Sequence, residues 1–111
     1  MATNYKVLAQ KVVTTANTAV SAYTVPSSTQ AIVSSISVCN TDTSGKTFDI
    51  AIKKSGDSTT SAYQYVVKGQ KILAAQNVTY TLGITLATGD QVFVNSSSTL
   101  VAFNLFGTEL A

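Results

Sequence analysis

The stretch from Thr99 to Gly107 is apolar on both faces when drawn as a strand, and few folds accommodate such a strand. One face carries Val101, Phe103 and Leu105; the other carries Leu100, Ala102 and Phe106, with Asn104 among them. An antiparallel strand over a single core is polar on its outer side. A strand with two apolar faces therefore asks for two contacts: its own core, and a second surface such as another subunit. Either row could be the one that faces the core.

The rest of the chain also reads with a period of two. Strands are predicted over Tyr5 to Gln10, Ala19 to Val25, Ala31 to Cys39, Thr47 to Lys53, Ala62 to Val67, Asn77 to Leu82 and Gln91 to Asn95. In the third, Ile32, Ile36 and Val38 are expected on one face, with Ser35 and Ser37 on the other. Phe48, Ile50 and Ile52 are expected inside, and Val78, Tyr80 and Leu82 share one face. Turn chemistry separates these runs: Pro26-Ser27-Ser28, Asn40 to Gly45, a polar loop from Lys54 to Ser61, and Thr88-Gly89-Asp90. The best helical candidate, Gln70 to Asn77, is too short to stand alone and reads equally as strand and loop. Eight short strands with regular turn signals predict an all-β fold, a single antiparallel β-sandwich of jelly-roll type spanning residues 1–111. The long Lys11 to Thr18 connection leaves the first strand without a hairpin partner. Residues 1–17 are therefore expected to form an extended arm or an edge strand, or to add to a neighbouring subunit.

The chemistry available is sparse. Charged residues make up 11% of the chain, against roughly 25% in an average soluble domain. Thirteen serines and seventeen threonines take their place. There is no histidine, so no histidine-based triad or metal site can form. The carboxylates Asp42, Asp49, Asp57, Asp90 and Glu109 fall in separate turns and strands, and no two are placed as an acid–base pair. Asn40-Thr-Asp42-Thr-Ser44-Gly45 opens like a calcium loop, but the place of its closing glutamate is Ala51. Gly45-Lys46-Thr47 ends like a phosphate loop, yet Asn40 stands where the first glycine belongs. Neither enzymatic activity nor a cofactor or metal is expected.

The positive charge is all lysine, which argues against specific nucleic-acid readout by the arginine fork. No apolar run approaches the ~18 residues of a membrane helix, and the Met1 to Lys6 start lacks a secretory pattern. Neither a nucleic-acid nor a membrane partner is expected, and synthesis in a cytosol is. Cys39 cannot form an internal disulfide, being the only cysteine. Tyr63, Tyr65 and Tyr80 read as cross-strand packing or, alternatively, as a sugar-binding platform.

Several segments resemble known proteins together. Tyr23-Thr-Val-Pro-Ser-Ser-Thr-Gln-Ala-Ile-Val-Ser-Ser-Ile-Ser-Val-Cys-Asn40 resembles the front half of small β-sandwich structural proteins of tailed bacteriophages. Tyr80 to Val94 resembles their rear hairpin. The ending Val101-Ala-Phe-Asn-Leu-Phe-Gly-Thr-Glu-Leu110, with Lys6 to Gln10, is similar to virion proteins of cyanophages and other aquatic phages. The resemblance implies a virion structural role after assembly in the host cytoplasm, as a capsid decoration (cement) protein or as a neck, tail, baseplate or fibre component. The expected partners are the major capsid protein or other virion proteins, and further copies of the chain, with no small-molecule substrate. The candidate contact residues are Tyr5, Val7 and Leu8 near the N-terminus and Leu100, Ala102, Asn104 and Phe106 at the last strand.

Overall fold

Alternating apolar residues build eight strands in the computed structural model, which describes residues 3–57 and 61–111. They are β1 (Thr3–Lys11), β2 (Val20–Thr24), β3 (Gln30–Asn40), β4 (Lys46–Lys53), β5 (Tyr65–Ile72), β6 (Asn77–Leu86), β7 (Gln91–Ser96) and β8 (Val101–Leu110). Two four-stranded antiparallel sheets form, in the orders β1-β8-β3-β6 and β2-β7-β4-β5. The hydrogen-bonded pairs β1–β8, β2–β7, β3–β6 and β4–β5 are those of one long antiparallel ribbon wound into a sandwich, the jelly-roll arrangement. Residues 1–2, and residues 58–60 of the polar loop, lie outside the described residues.

The core lies between the sheets. Val101, Phe103 and Leu105 of β8 are fully buried there, which decides which face of the last strand is inward. Phe48 crosses from the opposite sheet and meets Phe103 and Tyr80 edge-on, with ring centroids 6.0 and 6.3 Å apart. Such edge-to-face pairs add to area burial because the positive ring edge meets a negative ring face. The connection after β1 is pinned by Val13, also fully buried, and by the Asn17 N–H donating to the Ser96 carbonyl at 2.7 Å. β1 itself occupies an edge of its sheet, beside β8.

Departures from the expected pattern have local causes. Ile32 does not share a face with Ile36. Opposite β8, Val33 pairs with Gly107 but Ser35 already pairs with Phe106, so Ser34 is an extra residue, a β-bulge. The bulge reverses the alternation: Ala31 and Val33 point inward before it, Ile36 and Val38 after it, and Ile32 turns out. The Ser34 hydroxyl donates to the Phe106 carbonyl, tying the bulge to β8. Leu82 is half exposed because β6 carries a matching irregularity, with Gly83 at φ 62°. Ala62–Gln64 forms a 3₁₀ turn rather than the start of a strand, and the Gln64 side chain accepts from Ser61 N–H. Gln70 to Asn77 is not a helix: Ile72 ends β5 inside the core, and the chain then turns with Ala75 at φ 58°.

Asn40, fully buried, clamps two turns together. Its amide donates to the carbonyls of Ser44, Leu73 and Ile72 at 2.9, 3.1 and 3.3 Å, and its oxygen accepts from Asp42 N–H at 3.0 Å. The residues that imitate a calcium loop are thus engaged in holding the turn that carries the chain from β3 in one sheet to β4 in the other. Asn40→Ala should cost about 1–3 kcal/mol of unfolding free energy, because buried carbonyls lose their donor. Asn40→Asp should cost at least as much, since a carboxylate oxygen would then face those carbonyls; urea denaturation at neutral pH checks both.

Gly107 sits where β3 bulges against β8. A Cβ there would lie 1.9 Å from the Ile32 carbonyl oxygen, so the two backbones approach this closely only over glycine. Gly107→Ala should destabilise by about 1–3 kcal/mol or more through overpacking, read as a lower urea midpoint with an unchanged slope.

Candidate interaction face

The register of the β1-β8-β3-β6 sheet places one continuous set of side chains on its outer surface. Val7, Phe106, Ser35 and Thr81 form one cross-strand row, and Tyr5, Thr108, Ile32 and Thr85 form the next. Gln10, Asn104, Ser37 and Thr79 lie on the other side of the Val7 row, and Gln10 donates to Asn104 at 2.9 Å. No row contains a charged residue, although the chain has seven lysines and five acids. Three side chains stand out from it: Tyr5 is 83% exposed, Val7 49% and Phe106 37%.

The opposite sheet differs. Its outer surface carries Asp49, Lys53, Lys68 and Lys71. Lys53 covers the Phe93 ring at 4.1 Å and Lys68 covers Tyr65 at 4.6 Å. Lys68 also reaches Asp49 at 3.4 Å, and that carboxylate raises the lysine pKa. The aromatic rings there are shielded by cations, whereas, among the described residues, Tyr5 and Phe106 on the outer face of the first sheet have no lysine over them.

The structure brings together most of the sequence-predicted contact residues, but not all. Tyr5, Val7, Ala102, Asn104 and Phe106 share the uncharged face. Leu8 does not: it is the extra residue of a bulge in β1, between Val7 and Ala9, and packs against the core. Leu100 lies before β8, in the turn at the end of the sandwich, half exposed. Its carbonyl accepts from the Thr41 N–H and hydroxyl. Ile32, Thr108 and Leu110 complete the face and were missed; finding Ile32 required knowing of the bulge, and the strand-wise alternation beyond Phe106 already marked Thr108 and Leu110. Tyr63, Tyr65 and Tyr80 form no common platform. Tyr63 stands exposed on the 3₁₀ turn, Tyr65 lies under Lys68, and Tyr80 packs inward on Phe48.

An inward-facing polar group fastens this sheet at its β1 margin. Glu109, on the core side of β8, accepts the Tyr23 hydroxyl of β2 at 2.5 Å and pairs with Lys6 of β1 at 2.6 Å. The hydrogen bond from Lys6, then that from Tyr23, hold the Glu109 carboxyl below the usual carboxylate range. Burial, then the adjoining carboxylate, push the Tyr23 hydroxyl up. The three residues join both sheets and neutralise the only charge of the Thr3–Gln10 segment.

No protein-family model, curated protein or solved structure matches the chain. The four resembling segments fall on β1, on β2 to β3, on β6 to β7 and on β8.

Because the folded-state pKa of Glu109 is depressed, its contribution to stability is full above the unfolded carboxylate pKa and is lost as pH falls through the folded value. Glu109→Gln should therefore be less stable than the wild type at neutral pH, and the gap should shrink as pH falls below about 4. Unfolding free energies measured across that range test the sign.

Proposed function

We propose that this chain is a non-enzymatic structural protein of a tailed-phage virion, acting as a capsid decoration or cement protein. It would bind across joints between major capsid protein subunits and stabilise the shell. The observation that carries the reading is the charge-free outer face of the β1-β8-β3-β6 sheet with its exposed Tyr5, Val7 and Phe106. The segment resemblances supply the phage context. Jelly rolls also serve as lectins and cupins, so the fold alone selects no function.

The physical logic is that of a surface made to be covered. Apolar side chains gain by leaving water, and the surrounding hydroxyls and amides can hydrogen-bond a partner backbone without the desolvation cost of a charge. Four strands at ~4.8 Å spacing and ten residues at ~3.3 Å rise give a face on the order of 600 Å² in projection. That approaches the ~800 Å² each partner gives a standard interface. Many copies on a symmetric shell would then reinforce it without any one contact being strong.

A cryo-electron-microscopy map of the native particle tests the reading. Sandwich density over capsid joints, with the Phe106 face inward, is expected, and Phe106→Lys should strip the protein from particles while leaving it folded. Density confined to neck, tail or fibres would replace the shell-reinforcing mechanism with a role in those parts.

A further inference from the structure

The four edge strands of the sandwich differ in how they resist pairing with another chain. An exposed edge offers unpaired N–H and C=O groups, and proteins blunt such edges with short strands, bulges and lysines. β2 has five residues and an internal register shift. β5 carries Lys68 and Lys71 and shifts register twice against β4. β6 is regular only from Asn77 to Thr81 before its irregularity at Gly83, and its outward side chains there are Asn77, Thr79 and Thr81. β1 is regular from Thr3 to Val7. All five of those residues are exposed, and the outward ones are Thr3, Tyr5 and Val7. Pairing at β6 would cover hydroxyls and an amide; pairing at β1 would cover the most exposed apolar side chains of the sheet.

We infer that the β1 edge is a self-association site, occupied by β1 of a second copy of this chain running antiparallel about a two-fold axis. Charge leaves the segment free to meet its own copy and disfavours one register. The one charge in the segment, Lys6, is already neutralised by Glu109 of its own chain. A pairing centred on Tyr5 sets Tyr5 opposite Tyr5 of the second copy, Thr3 opposite Val7, and Asn4 opposite Lys6. A pairing centred on Lys6 would instead oppose two lysines, which is destabilising. The Tyr5-centred register joins aromatic to aromatic on the outer face and merges two uncharged faces into one across eight strands. It also closes on itself, as an isologous contact must, whereas joining β1 to β6 of another copy would leave free edges to propagate. The inference stands independently of the virion reading, since it concerns the isolated chain.

Sedimentation across a concentration series tests it, with three folded variants. The wild type is expected to show a reversible monomer–dimer equilibrium. Tyr5→Lys, at a position already exposed, should weaken it by about tenfold or more by opposing two like charges, while Phe106→Lys and Thr79→Lys leave it nearly unchanged. In a Cys39→Ser background, Tyr5→Cys should give a disulfide-linked dimer on mild oxidation. Directly opposed residues stand about 4.5–5.5 Å apart at Cβ, close enough for a small shift to form the bond. A wild type that remains monomeric at every concentration overturns the inference. So does a dimer that survives Tyr5→Lys but is lost with Thr79→Lys or Phe106→Lys, which would assign the contact to the β6 edge or to the flat face.

Discussion

The bulge at Ser34 is the constraint on which this sandwich depends. β3 is a central strand, bonded to β6 on one side and β8 on the other, and its sequence puts apolar residues on opposite parities in its two halves. A strictly regular strand would have turned either Ala31 and Val33 or Ile36 and Val38 out to solvent, since a one-residue shift exchanges the two faces. One extra residue lets both halves face the core. The bulge is possible because Gly107 opposite it has no side chain, so the Ile32 carbonyl can lie against β8. The same step turns Ile32 outward and so extends the exposed apolar patch. Core packing and surface character are thus consequences of one local irregularity.

Charge is distributed so that the two sheets have different relations to water. One outer surface carries lysines laid over aromatic rings; the other carries none. Exposed apolar residues scattered singly are ordinary. A whole four-stranded face without a charge, in a chain where charges exist and are placed elsewhere, is a property of the arrangement. Lys6 and Glu109 illustrate the division: both lie on strands of the uncharged sheet, yet they face inward and pair with each other. Low charge also carries a hazard, since an uncharged face beside an open edge invites association. In the proposed dimer, the regularity of β1 from Thr3 to Val7 is what would direct that association to one strand.

Much of the fold was legible in the residues. The two-period of Phe48, Ile50 and Ile52 and of Val101, Phe103 and Leu105, together with turn residues at regular spacing, specified eight strands and an antiparallel sandwich. Pairs such as Asn40 with the Leu73 carbonyl were not legible, because they join turns distant in the chain. Of the candidate contact residues, Tyr5, Val7, Ala102, Asn104 and Phe106 fall on the uncharged face, although alternation alone left open which row of β8 faces outward. Leu8 and Leu100 lie off that face, since a bulge and a strand boundary shift a side chain without leaving a mark that hydrophobic periodicity can register.

By itself the sequence determined the class of fold and the poverty of its chemistry: an all-β chain without histidine or arginine, and with few charges to spend on a site. Those properties are local or compositional and survive any arrangement of the strands. Which row of β8 is buried, and that the charges leave one sheet face entirely, were decided only when the strands paired. Both depend on register between residues far apart in the chain. Register is fixed by the free energy of packing two faces together, a quantity no single strand possesses.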